Sequence, residues 1–317
     1  MPKLGSTKNF GWGNQIFFAG KNALRDHYGN GRYGTRATHI SRWATVSAIL
    51  REMGIRDTQQ VTCNDLVRLA EILDHQVAQH KMQQSYAINL LSTTNITLSA
   101  LRGDSRVQIS PSDHLGARSA GRLLPPRGMD IELVMAAADK LNERGLCHVA
   151  SVISFARTLG VRKREGCLLD VRQALLEAKE MGHVNITRGT KGGRGRYIDR
   201  WVPVSAYAIV ALEHALQFQG KSKTLVPEET TLRQFIQRIN RSWALVRDQF
   251  NLGKIHDLRA CYACELYHEV TGFQAPVFYD GEIRAQKVAD EEARRKIAYV
   301  LGHNRASIAS AYIGGRR

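Results

Sequence analysis

The sequence has no hydrophobic run near the roughly 20 residues that a bilayer-spanning helix requires, and its opening, MPKLGSTKNFGWGNQ, lacks the apolar stretch of a signal peptide. A membrane partner is disfavoured on that ground, and a cytoplasmic, nucleoid-associated location is expected. Five cysteines, at positions 63, 147, 167, 261 and 264, are odd in number and too sparse to frame a disulfide-stapled fold. Cys261 and Cys264 form a CxxC, but no second CxxC or HxxxH stands at zinc-ligand spacing, so both read as buried thiols of a helix. There is no repeat with a period of about 20–50 residues, which excludes a solenoid. Acid is scarce too: 29 Asp and Glu face 45 Lys and Arg, a net charge of +16 that makes a polyanion the expected partner and favours nucleic acid.

What is present is a chain of 317 residues, 43% hydrophobic, which is long enough for two domains with cores of their own. Residues 1–35 are rich in Gly, Asn and aromatics without a period and read as an irregular lead-in or arm. From Thr38, THISRWATVSAILREMG sets Ile40, Trp43, Val46, Ile49, Leu50 and Met53 on one helical stripe that stops at Gly54. A second helix opens at VTCNDL, with Thr62 and Asp65 spaced as a capping box, and a third runs through SYAINLLSTTNITLSALR. The polar, glycine-rich stretch after it closes on Pro125-Pro126, which divides the chain into a helical domain, 1–125, and a second domain, 126–317. The second domain begins with two glycine-stopped helices. HVNITRGTKGGRGRYIDRWVPVS then reads as a hairpin around a Gly-Gly turn, with four basic residues and no acid over 181–198. Helical patterns return at 205–218, 231–250, 257–271 and 284–301, so the fold class is mainly α with a small β-hairpin or sheet.

Several polar groupings have the makings of a site. His256 and Arg259 stand three apart where a helix opens, on one face near its positive end, a geometry that suits a phosphate. The same HxxR spacing recurs at His39 and Arg42, where the apolar stripe explains it as ordinary surface. Gly160, Arg162 and Glu165 form a GxRxxE, either a guanidinium held ready for a phosphate or an exposed ion pair of little worth. Lys191 sits in the basic hairpin, where it can reach into a groove or simply be solvated. LGH at 301–303 and Tyr312 nine residues further on complete the set.

Taken in order, these signals resemble the tyrosine recombinase (phage integrase) family. The resemblance implies a helical N-terminal core-binding domain and a mixed α/β catalytic domain, an origin in a bacterial mobile element or phage, and cleavage and rejoining of duplex DNA. It assigns Tyr312 as the nucleophile that forms a 3′-phosphotyrosyl link, and Arg162 and Arg259 as the neutralisers of the non-bridging oxygens. His256 and His303 add hydrogen bonds, His256 being also a candidate to take the tyrosine proton. Lys191 is the donor to the leaving 5′-oxygen, and Glu165 orients the site from behind. Arg188, Arg194 and Arg196 of the basic hairpin are expected to contact DNA. Because the phosphotyrosine conserves the bond for rejoining, neither metal nor other cofactor is implied. The implied partners are double-stranded DNA sites, three further copies of the chain in a homotetramer, and accessory bending or directionality factors.

One departure from the family is plain: Arg259 and His303 are 44 residues apart, about twenty more than is usual. With five acids and five bases over 280–296, the insertion reads as a solvated amphipathic helix. Two other functions stay open at this point, a DNA-binding regulator without catalysis and a relaxing topoisomerase that shares the tyrosine chemistry.

Overall fold

A computed structural model describes residues 7–117, 121–191, 195, 197–279 and 284–316. The chain forms two compact units that divide between Ser119 and Ala120.

The first unit holds α1 (Ile16–Tyr28), α2 (Tyr33–Glu52), α3 (Cys63–Ala78), α4 (Gln84–Arg102) and the short α5 (Pro111–Leu115). The α3 start is capped as its sequence suggests: Thr62 Oγ1 accepts from the Asp65 amide, and the Asp65 carboxylate accepts from the Thr62 amide. Trp43, Val46, Ile49 and Leu50 of the α2 stripe are buried. The reading of residues 1–35 as an irregular arm is corrected by α1, which packs on α2 and α4 and buries Ile16, Ala19, Ala23 and Leu24 in their core. The helical period was there, but it was carried largely by small residues. Gly20 is one of them, because the Trp43 ring lies where its side chain would be: an added Cβ would come within 2.0 Å of Trp43 Nε1. The same indole nitrogen donates to the Ile16 carbonyl at 3.1 Å.

The second unit is built around α7 (Cys147–Thr158), which follows α6 (Ile131–Glu143). Every residue of α7 from Val149 to Thr158 is buried, the polar Ser151, Ser154, Arg157 and Thr158 among them. Its neighbours are α6, α8 (Lys163–Leu168), α10 (Ala206–Leu216), α11 (Leu232–Arg247) and α12 (Ile255–Thr271). Helix α9 (Val171–Met181) leads into β1 (His183–Asn185), which pairs antiparallel with β2 (Trp201–Pro203) in the register Val184 to Val202. The strands are shorter than the sequence suggested, with residues 186–200 between them. Gly192 and Gly193 of the expected turn lie outside the described residues.

The chain closes with α13 (Lys287–Val300), a 3₁₀ turn at Ala306–Ala309 and α14 (Ser310–Ile313). Helix α13 carries the insertion and differs from the solvated helix expected. It packs on α12 and buries Asp290 and Arg294 along with Ala293 and Ile297. A balanced charge count cannot reveal that one acid and one base face inward. Residues before Pro125 also belong to this unit: the Arg122 amide donates to the Ser310 carbonyl at 2.8 Å, and its guanidinium pairs with Asp257 at 2.5 Å.

Replacing Gly20 by alanine forces the Trp43 ring out of its place. The expected cost is about 1–3 kcal/mol, the range for overpacking a filled core. Urea unfolding of Gly20→Ala against the native chain measures it, and an unchanged midpoint would show that the ring has room to move.

Candidate active site

Helix α7 ends at Thr158, and the chain turns through Gly160, whose φ of +59° is left-handed; a Cβ there would also strike the Tyr262 ring at 2.4 Å. That turn delivers Arg162 to the start of α8. Glu165, one helical step on, is fully buried and accepts from the Arg162 amide at 2.7 Å and from its guanidinium at 2.6 Å. Of the two readings of GxRxxE, the held guanidinium is therefore the one the structure supports.

Glu165 holds more than Arg162. Arg200, at the entry to β2, binds it with both terminal nitrogens at 2.9 and 3.0 Å, and Arg259 NH1 lies 3.7 Å away. Burial alone would raise this carboxyl, but Arg200, Arg259 and Arg162 outweigh it and hold it at about 2. Arg200 was not anticipated from the sequence. A signal did exist: Arg200 shares the inward parity of Val202 in the strand, and a buried guanidinium there needs a carboxylate.

His256 and Arg259 leave the first turns of α12 as their spacing implies, with opposite burial. Arg259 is 1% exposed, and its guanidinium donates to the carbonyls of Gly160 and Leu301. Burial lowers it to about 10, against the opposing influence of Tyr312, and Arg162 adds to the lowering. His256 is exposed at the surface and lies beside the Tyr312 ring, 5.3 Å between centroids. Partial desolvation and then the Arg259 charge shift it below its ordinary value.

Tyr312, on α14, is buried at 4% exposure. Its Oη is 3.0 Å from His303 Nε2 and 3.3 Å from Arg259 Nε. Arg162 NH2 also reaches His303 Nε2, at 3.1 Å. A guanidinium can only donate, so Nε2 is the acceptor and the ring proton sits on Nδ1. Oη accepts from Arg259 Nε and directs its single hydrogen at the same lone pair. Burial, followed by Arg162, Arg259 and Arg200, pushes His303 down to about 4, so it is neutral at pH 7. Lys191 is exposed and lines one cleft with Arg162, Thr190, Arg200 and His303.

The structure thus brings together Arg162, Glu165, Lys191, Arg259, His303 and Tyr312, with His256 at the tyrosine's flank. Arg188 is exposed and donates to the Lys223 carbonyl at 2.7 Å; Arg194 and Arg196 lie outside the described residues. Chemically, the arrangement offers an oxygen nucleophile beside a neutral base and guanidiniums that suit an anion.

By sequence, no family model and no curated protein matches the chain. By structure, it is similar to the Tn1549 transposon integrase in complex with circular intermediate DNA, with 12% identity and a TM-score of 0.57 over 96% of each chain. It is also similar to a lambda integrase dimer bound to a COC′ core site, with 17% identity and a TM-score of 0.55, covering 92% of this chain and 94% of that one. The chain has the tyrosine recombinase fold. A lambda integrase tetramer bound to a Holliday junction is similar as well, with 15% identity and a TM-score of 0.54 over 93% of this chain and 76% of that one. At such identities the likeness is one of fold. No helix among the described residues is long and apolar enough to cross a membrane.

The His303 environment has a consequence for stability. Its folded value of about 4 lies below the ordinary 6.5, so the unfolded chain takes up the proton first as pH falls. Stability is therefore lost on acidification from about 6.5 towards 4, and His256, shifted in the same direction, contributes with the same sign. His303→Gln should flatten, without abolishing, the fall of the thermal midpoint over that window. An identical slope in the variant would show that His303 is not shifted in this way.

Proposed function

We propose that this chain is a site-specific DNA recombinase or integrase, carried by a mobile element, that cleaves and rejoins duplex DNA through a 3′-phosphotyrosyl intermediate. The observation that carries the reading is Tyr312 Oη, held 3.0 Å from a neutral histidine nitrogen and 3.3 Å from the Nε of a buried arginine. A tyrosine placed merely for packing has no use for a base and a cation at its hydroxyl.

In the first step Oη attacks the scissile phosphorus, the bond from phosphorus to the 5′-oxygen breaks, and the phosphate remains on Tyr312. His303 is the group that receives the tyrosine proton, since its Nε2 faces Oη while His256 flanks the ring. In the absence of DNA, Arg162 also occupies that lone pair. Binding of a phosphate draws Arg162 onto a non-bridging oxygen and frees Nε2 for the proton. Arg259 stabilises the growing charge from the buried side, His256 donates to a non-bridging oxygen, and Lys191 protonates the departing 5′-oxygen. Rejoining is the reverse, with a 5′-hydroxyl as the attacking group. Removing Arg162, Arg259 or His303 should lower the cleavage rate by about 10²–10³, the usual scale for one preorganised donor or charge.

The net charge of +16 supports a duplex held by phosphate contacts, with the helical N-terminal domain as the second half of the grip. If some 6–10 phosphates are contacted, affinity should fall by roughly 10³–10⁵ between 50 and 200 mM salt. A titration that stays flat over that range would rule out a clamp of this kind. Assembly as a tetramer is proposed by likeness to the lambda integrase tetramer.

The deciding experiment is covalent capture. The purified chain is mixed with fragmented genomic DNA from its source, washed under denaturing conditions, and the attached DNA is sequenced, with Tyr312→Phe in parallel. A discrete set of sites with the native chain and none with the variant is the expected result. If the native chain binds DNA before denaturation yet retains none after it, a non-catalytic DNA-binding protein is the better description.

A further inference from the structure

The turn that carries Tyr312 is short: α14 spans Ser310–Ile313. Four residues do not hold a helix by themselves, because nucleation is unfavourable without tertiary support. Something outside the turn must fix the direction in which Oη points.

Helix α13 supplies it. Arg294 is 8% exposed, and a single terminal nitrogen, NH1, donates to Ser310 Oγ at 2.9 Å and to the Gly314 carbonyl at 3.2 Å. Ser310 and Gly314 stand two residues before and two after Tyr312, so one guanidinium ties both ends of the turn. The guanidinium is itself held: Arg294 Nε donates to Asp290 Oδ2 at 2.8 Å, and Tyr267 of α12 donates to Asp290 Oδ1 at 2.8 Å. Asp290 and Tyr267 are both buried. The chain of contacts therefore runs from α12, the helix that positions His256 and Arg259, through Asp290 and Arg294 to the tyrosine turn.

We propose that Arg294, anchored by Asp290 and Tyr267, is a positioning residue that sets Tyr312 Oη against His303 and Arg259 and so delivers the nucleophile within its own chain. The proposal rests on the recombinase reading above. It assigns the inserted helix a role that its balanced surface charge does not suggest. A misplacement of about 1 Å in a reacting atom can lower a rate by about 10², so the tie matters without touching DNA.

Arg294→Lys tests it, since a lysine keeps the charge but has one nitrogen, which cannot replace both the Nε that pairs with Asp290 and the NH1 that reaches Ser310 and Gly314. Arg294→Met serves as a second variant that removes the charge. Two readouts on the full chain separate positioning from general support. Without DNA, hydrogen exchange of the segment 303–316 should speed up at least tenfold in Arg294→Lys while α7 and α12 are unchanged. With the duplexes captured by the native chain, formation of the tyrosyl adduct should slow by about 10–100-fold at unchanged DNA binding.

The control replaces the nucleophile. In Tyr312→Phe, hydrogen peroxide takes the place of the tyrosine: its oxygen bonds to phosphorus, the 5′-oxygen leaves with a proton, and the peroxide proton passes to the site. That cleavage should be the same with and without Arg294→Lys. The proposal is overturned if exchange over 303–316 is unaltered, or if peroxide cleavage falls as far as the tyrosine reaction does. A native chain that captures no DNA, together with no peroxide cleavage in Tyr312→Phe, sinks the recombinase reading, and the positioning role with it, even where the exchange result stands.

Discussion

The second unit depends on one carboxylate. Glu165 lies fully buried among Arg162, Arg200 and Arg259, and without it three guanidiniums would be gathered in a poorly solvated place with nothing to oppose them. Taking such charges from water costs several kcal/mol each, which an oriented counter-charge offsets. Three cations and one anion still leave two positive charges in excess. A phosphodiester brings one negative charge, and the charge on its non-bridging oxygens increases as a nucleophile adds. The cluster is thus stable enough to fold and unsatisfied enough to attract an anion. Glu165 serves both ends, because the contacts that neutralise part of the charge also fix where the rest points.

The participants come from places far apart in the chain, and each is held by what surrounds it. Gly160 and Leu301 offer carbonyls to Arg259, so the turn after α7 and the end of α13 fix the same guanidinium. Arg162 is set by the capping carboxylate of its own helix. Lys191 is the exception, since it projects from the connection between β1 and β2 and is exposed. With the role proposed for Lys191 the division is a sensible one: charges that stabilise must be preorganised, whereas a donor to a leaving group can arrive with the substrate.

How much of this was legible in the sequence follows from the range of the interactions. Arg162 with Glu165, His256 with Arg259, and Thr62 with Asp65 are local spacings at helix starts, and local spacings survive in a linear text. Helix α1 was hidden because Ala19, Gly20 and Ala23 give a faint stripe whose bulk is supplied by Trp43, 23 residues beyond Gly20. Arg200 was missed because its partner lies 35 residues earlier. Asp290 and Arg294 read as part of an evenly charged helix, and nothing local says that this particular i, i+4 pair faces inward. The role of His303 as acceptor was also beyond the sequence, because it follows from two donors converging on one lone pair.

The burial of that last pair has its explanation in the tyrosine turn. A tyrosine close to the last described residue, on four residues of helix, has little backbone structure to define it. Ile313 is fully buried and pins one side of the turn, the Tyr312 ring rests between two imidazoles, and the Arg122 amide holds the Ser310 carbonyl. These contacts fix depth more than direction. Hydrogen bonds at both ends of the turn fix direction, and a guanidinium is a side chain that can give both from one terminal nitrogen while its Nε stays paired with Asp290. Burying Arg294 demands a buried acid, and Asp290 one helical turn earlier answers that demand from the same helix face. The inserted helix is therefore charged on its inward side for the same reason that the tyrosine turn is short: the precision that the turn cannot supply is carried by the helix beside it.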